Sequence, residues 1–238
     1  AGVIALGTLL LLLPISHKDG KGLSLLDTLF TATSAVCVTG LSVVDCGSHF
    51  SLFGQLVILA LIQIGGLGFM TFTAIIFIII RKRISLRDRL LLAEQYNNYG
   101  LLGLVRLTLN IVVVTIVIEF LGAVILSTAF IPQFGVAKGI YYSVFHSVSA
   151  FCNAGIDVFG QNSSLIPFSG NYLVCLTIGA LVILGGLGFI VLTDLLSMRR
   201  FSKLTLHTKA VLITTGALLL IGFVCFYLLE RNNINTLG

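Results

Sequence analysis

Charge is what this sequence has least of. Only 10% of its 238 residues are Asp, Glu, Lys or Arg, 57% are hydrophobic, and the mean hydropathy is +1.10. A soluble domain carries about 25% charged residues, so an ordinary globular domain is excluded and a polytopic membrane protein is expected. Stretches with no charged residue cover 46–80, 171–193 and 210–229. Each meets the roughly 20 residues needed to cross the hydrocarbon core. The stretch 107–129 does so with one interruption, Glu119. Residues 1–15 read as the last part of a further span. The chain opens inside that apolar run without Met or a charged flank, so a clipped start is expected. No basic n-region or cleavage site frames it, so it is not expected to be a signal peptide.

Other absences narrow the chemistry. Five cysteines (37, 46, 152, 175 and 225) form no CxxC and stand beside no histidine at metal-ligand spacing. Free thiols are expected, with Cys175 and Cys225 as small core residues. Glu119 is the one carboxylate well inside a span, and no His, Asp, Glu and Cys cluster there, so no catalytic constellation is found and an enzyme is not expected. Gly65, Gly66 and Gly68, like Gly185, Gly186 and Gly188, follow no strand, so they are not a dinucleotide fingerprint. Their expected use is close approach of neighbouring helices. The net charge of +5 does not point to nucleic acid, because ten of fourteen Lys and Arg fall in two connections, 81–106 and 194–209. That bias marks both loops as cytoplasmic.

What is present is a repeat. Between the two basic loops lie the spans 107–129 and 171–193. Two crossings return the chain to the same side, so "HSVSAFCNAGIDVFG" (146–160) must enter and leave on the outer side. "TATSAVCVTGLSVVD" (31–45) has the same outline 115 positions earlier, pairing Cys37 with Cys152 and Gly40 with Gly155. "IGGLGF" (64–69) and "LGGLGF" (184–189) repeat at an offset of 120. The unit is membrane helix, outer re-entrant pore helix and filter loop, membrane helix, basic loop. It gives a first repeat over 1–103, a second over 104–209 and the first span of a third over 210–238. Because the topology is kept, the repeats are parallel and pseudo-symmetric about the membrane normal. A carrier of another small solute built on broken helices, the alternative reading, predicts inverted repeats instead.

Ser24 followed by Asp27 opens a helix as a capping-box variant. A dozen residues from Leu25 span only about 18 Å, too short to cross, and the helix should stop near Val36. Irregular backbone at membrane depth is tolerated only where it is buried in protein or lines a wet cavity. Rings of backbone carbonyls that replace an ion's hydration shell satisfy this requirement in potassium channels. Val38, Thr39 and Gly40 suit that role, the β-branched residues favouring extended backbone. Asn153, Ala154 and Gly155 hold the same places in the second copy. The negative C-terminal end of such a helix favours a cation. Asp45 and Asp157 either attract cations at the outer mouth or are solvated loop carboxylates. Glu119 is a functional candidate or a hydrogen-bond anchor for a pore helix, and His146 reads as a structural histidine.

"LFTATSAVCVTGLSVVD", "LIQIGGLGFMTF", "FHSVSAFCNAGIDVFG", "GGLGFIVLTDLLSMRRFSKLTLHTK" and "ERNNINTLG" together resemble the Ktr/Trk/HKT superfamily of potassium transporters, most closely the bacterial Ktr membrane subunit. The resemblance implies four linked membrane–pore–membrane repeats, each donating one filter strand with a central glycine. By position Gly40 and Gly155 are those glycines, and Cys37 to Thr39 and Cys152 to Ala154 supply ion-facing carbonyls. It implies K⁺ uptake through the plasma membrane, which in Ktr members is often linked to Na⁺, with no metal other than the transported ion and no covalent cofactor. It also implies a homodimer of the full-length chain in membrane lipid, on a cytosolic ring of regulatory subunits that alone bind nucleotide. Two filters cannot encircle an ion, so residues 1–238 are not expected to conduct alone: either they are a fragment of a chain about twice as long, the favoured reading, or partner chains complete the pore. Asp157, just after the second filter glycine, stands where a neutral residue is expected.

Overall fold

The computed structural model describes residues 1–18, 20, 22–68, 101–161, 163–198, 201–231 and 233, with side chains from residue 109 onward in the helix that opens the second long stretch. The described residues form helices and turns and, among them, no strand beyond one isolated bridge, His17 to Phe50. They fall into two units, 1–186 and 187–238.

In the first unit α1 (Gly2–Leu12) leads through a 3-10 turn to α2 (Leu25–Val36). Ser24 Oγ accepts the Asp27 N–H at 3.2 Å and donates to Asp27 Oδ2 at 2.7 Å. The capping pair is therefore closed through the serine hydroxyl. The helix ends at Val36, as the short length requires. The apolar run from 46 is not one helix. A single turn, α3 (Cys46–His49), precedes α4 (Leu52–Gly66), because Phe50 is extended and Ser51 caps anew by accepting the Gly54 N–H at 3.3 Å. Residues 69–80 of that run, and 81–100 of the first basic loop, lie outside the described residues. Ser51 N–H donates to the Ser16 carbonyl at 2.9 Å and Lys18 N–H to the His49 carbonyl at 3.0 Å, so both ends of the first re-entrant segment are stitched together.

α5 (Leu101–Phe134) runs past both ends of the expected span 107–129. After Gly135 comes α6 (Val136–Phe151), then a loop to α7 (Tyr172–Gly186). One core joins Ala32, Ala35, Phe50, Ile58 and Ile62 of the first half to Phe145, Val148, Ala154 and Ile156 of the second. A second, smaller core gathers Leu126, Phe130, Phe168 and Val174. Burying such side chains supplies roughly 1.5–3 kcal/mol each relative to water, and here it ties the two re-entrant segments together.

The second unit holds α8 (Phe189–Ser197) and α9 (Leu206–Glu230). The expected continuous span 171–193 is interrupted: α7 stops at Gly186, and α8 begins after Gly188, whose φ of 87° no helix accommodates. Thr205 caps α9 and donates through N–H and hydroxyl to Asp194 Oδ2 at 3.0 and 2.9 Å. Hydrogen bonds from the Thr208 hydroxyl first, then from Thr205, hold the Asp194 carboxyl below its usual range. Leu109–Phe134 and Leu206–Glu230 are each long and apolar enough to cross a membrane.

Candidate ion-filter segments

The two segments are built by the same hydrogen bonds. In the first, the Cys37 N–H donates to the Thr33 carbonyl at 2.8 Å, Val38 to Ala35 at 3.4 Å and Thr39 to Ser34 at 3.0 Å. In the second, Cys152 donates to Val148 at 2.9 Å, Asn153 to Ala150 at 3.0 Å and Ala154 to Ser149 at 2.8 Å. Every donor and acceptor is displaced by 115 positions. The pattern is the Schellman helix end, in which the residue after the cap turns left-handed. That residue is Val38 with φ 56° in one segment and Asn153 with φ 60° in the other, and Gly40 and Gly155 follow with φ 79° and 66°. Val38 is thus not extended, contrary to its β-branched preference. Closing the helix end requires the left-handed conformation whatever residue stands there.

The helices behind the segments repeat as well. A Cβ on Gly65 would collide with the Val36 carbonyl, and one on Gly185 with the Phe151 carbonyl. Each close approach sets a glycine of the GGLGF motif against the last residue of a re-entrant helix. Gly65 and Gly185, with Gly66, play the expected close-approach role, here made against a helix end, whereas a Cβ on Gly68, Gly186 or Gly188 would meet nothing among the described residues. A Cβ on Gly7 would meet Leu61, and one on Gly122 would meet Leu181, at the same two offsets.

The segments also meet. A Cβ on Gly40 would lie 2.5 Å from the Ala154 carbonyl oxygen and 3.8 Å from the Gly155 Cα. Gly40 is thereby set against Ala154 and Gly155, so the two segments meet at their glycine ends. Asp45 and Asp157 are both engaged locally: Asp45 Oδ1 accepts the Gly47 and Ser48 N–H at 2.9 and 3.3 Å, and Asp157 Oδ1 accepts the Phe159 N–H at 3.2 Å. Burial, opposed by that Phe159 bond and reinforced by the nearby Asp45 charge, raises the Asp157 carboxyl above its ordinary value.

Glu119 is buried in α5 and accepts from Gln63 Nε2 at 3.2 Å. His146 is buried, stacks on Phe159 with ring centroids 4.1 Å apart, and donates through Nδ1 to the Tyr142 carbonyl at 2.7 Å, a structural arrangement. All five cysteines are free, but Cys175 and Cys225 are exposed on their helices and not in the core. Sequence reasoning missed Gln63, and also Gln55, which donates to the Phe50 carbonyl at 2.9 Å and accepts from Tyr141 Oη at 2.8 Å. Each is an amide within an apolar run, and that polarity was the available signal.

Among curated proteins the chain is similar to the potassium/sodium uptake protein NtpJ of Enterococcus hirae, 46% identical over 98% of this chain and 51% of that one. It is 46% identical to the Ktr system potassium uptake protein B of Bacillus subtilis and 45% identical to that of Vibrio alginolyticus, over 99% and 100% of this chain and 52% of each relative. The chain thus spans about half the length of the curated relatives it matches. The cation transport protein family TrkH matches over residues 3–237. On that match, and on apolar helices fit to span a bilayer, the chain is a membrane protein and belongs to the TrkH family of cation transport proteins.

Proposed function

We propose that this chain contributes two of four pseudo-equivalent filter strands to a K⁺ uptake pathway across the plasma membrane. Cys37 to Gly40 and Cys152 to Gly155 would present the carbonyls that replace the ion's water. Their repeats would run over 1–103 and 104–209, with 210–238 opening a third. The basic loops 81–106 and 194–209 would face the cytoplasm. The observation that carries this reading is the meeting of two identically hydrogen-bonded segments, Gly40 against the Ala154 carbonyl. A chance pair of tight turns would have no reason to converge.

A cavity supports the fourfold arrangement. In the first repeat Ala35, Ile58 and Ile62 are covered by Phe145, Val148 and Ala154 of the second. The equivalent residues of the second repeat, Ala150, Ile178 and Val182, line a cavity of about 200 Å³ beside Gly155. A third strand seated there would repeat the first contact. The names of the relatives support K⁺ as the cargo, with Na⁺ as its co-ion or competitor. The partners proposed are a second full-length copy and a cytosolic nucleotide-binding ring.

The test is potassium-dependent growth and rubidium uptake in an uptake-deficient bacterial strain expressing the full-length protein and its Gly40→Ser variant. The variant forces a Cβ onto the Ala154 carbonyl. Measured per folded molecule in the membrane, it should lose K⁺ affinity or K⁺/Na⁺ discrimination. Unchanged uptake and preference would reduce "CVTG" to a turn and move the ion path elsewhere.

A further inference from the structure

Behind the second segment one buried polar group joins three helices. Glu119 lies in the middle of α5 at 7% exposure. Its Oε2 accepts from Gln63 Nε2 of α4 at 3.2 Å, and its Oε1 faces the Cys152 Sγ at 3.9 Å. Its backbone carbonyl accepts from Ser147 Oγ of α6 at 2.6 Å. Cys152 is the residue at which α6 ends and the second segment begins. On its other side it is pressed by α4, where a Cβ on Gly66 would collide with the Cys152 Sγ.

The last turn of α4 therefore separates the two segment starts. Gly65 backs the Val36 carbonyl at the end of α2, Gly66 backs Cys152, and Gln63 in the same turn holds Glu119. The Gly7–Leu61 and Gly122–Leu181 contacts align α1 with α5 at the offset of 115, which sets Ile4 opposite Glu119. The first repeat thus has an apolar residue where the second has a carboxyl. Burying a carboxyl at membrane depth costs several kcal/mol, and the first repeat has none at the half-buried Ile4. A pure packing role does not account for it.

We infer that Glu119 is a positioning residue: through Gln63 and Cys152 it sets the height of the second filter segment against the first and so tunes ion discrimination. The inference rests on the filter reading above. Moving the Cys152 end by a fraction of an ångström would displace the carbonyls that follow it relative to Gly40, and dehydration of an ion is sensitive to such spacing.

The experiment uses the full-length protein in the same uptake strain, with Glu119→Leu, Glu119→Gln, Gln63→Leu and Gly40→Ser measured together. Half-saturating K⁺ and Na⁺ concentrations, maximal rate and the amount of folded protein in the membrane are recorded for each. Glu119→Leu and Gln63→Leu should raise half-saturating K⁺ by roughly tenfold, the effect of one lost strong buried hydrogen bond, and narrow K⁺/Na⁺ discrimination. Glu119→Gln, which keeps an acceptor for Gln63, should recover most of both. Should Glu119→Leu fail to fold, Gln63→Leu and Glu119→Gln decide the matter. Discrimination unchanged in the folded variants, with only protein amount or maximal rate lowered, would make Glu119 a structural anchor and overturn the inference. A Gly40→Ser variant that shifts discrimination while the others do not removes the positioning role alone. One that shifts nothing removes the filter reading and this inference with it.

Discussion

At residue 38 the first segment turns left-handed with a valine, and at residue 153 the second does so with an asparagine. The backbone hydrogen bonds around them match, but the means of holding the turn differ. A β-branched residue in this conformation is a genuine outlier and costs roughly 1–2 kcal/mol. Val38 is held there by its surroundings. It packs against the shared core, and Thr39 Oγ1 donates to Ser34 Oγ at 2.8 Å to brace the next residue. Asn153 tolerates the turn and also secures it: with its amide oriented so that both neighbours are satisfied, the nitrogen lies 3.2 Å from the Val182 carbonyl and the oxygen 3.3 Å from the Gly186 N–H, both on α7. In place of the Thr39 brace, Ser149 Oγ donates to the Ile156 carbonyl at 2.6 Å. One segment stores strain that its packing must overcome, while the other is tied to a membrane helix by a side chain. Strained backbone of this kind collects where function demands a shape.

The contact common to both segments should give the largest effect when broken. Gly65→Ala and Gly185→Ala each drive a methyl into a backbone carbonyl that cannot rotate away. Each should cost about 3 kcal/mol or more, seen as loss of folded full-length protein on size-exclusion chromatography in detergent. Equal tolerance of both alanines would mean that the GGLGF glycines do not back the segments.

The next effect separates the segments. Asn153→Val should cost about 2–3 kcal/mol, combining left-handed strain with two lost hydrogen bonds. The reciprocal Val38→Asn should be near neutral or stabilising by up to about 1 kcal/mol, because strain relief offsets the lost packing. Thermal midpoints of the purified variants test this. Loss of stability in both directions by the same amount would show that the two turns are held alike.

The smallest effect concerns the outer loops. The Asp157 carboxyl is raised by burial and by Asp45, so the folded state favours its protonated form. Its stabilising contribution is present below the unfolded carboxylate value and is lost as pH rises through the raised one. Asp157→Asn should therefore raise the thermal midpoint at pH 7 by roughly 1–2 °C and change little well below the ordinary carboxylate value, at about pH 2.5. A gain of equal size at both pH values would assign the effect to packing. The matching residue of the first segment, Ser42, carries no charge, so Ser42→Asn should be flat at either pH.

Local signals were legible. Ser24 and Asp27 announced the start of α2, and the small β-branched residues and glycine after Val36 announced its end, because capping and helix length are decided within a few residues. Charge-free runs and loop charge implied a membrane protein before any fold was known. The left-handed turn at Val38 was not legible, since intrinsic preference argues for extended backbone there and only the demands of the helix end override it. The breaks at Phe50 and at Leu187–Gly188 were hidden for a related reason. Hydropathy reports where apolar residues lie, and it is blind to whether the backbone between them stays helical.

What the sequence determined by itself is therefore the class, the family and the two matching segments, all of which are written in residue types and their spacing. Only the tertiary structure decided that Gly40 rests on the Ala154 carbonyl and that Gln63 holds Glu119 behind Cys152. Those contacts join residues 114 and 56 positions apart, and such pairings depend on how helices pack in space, which no local pattern encodes.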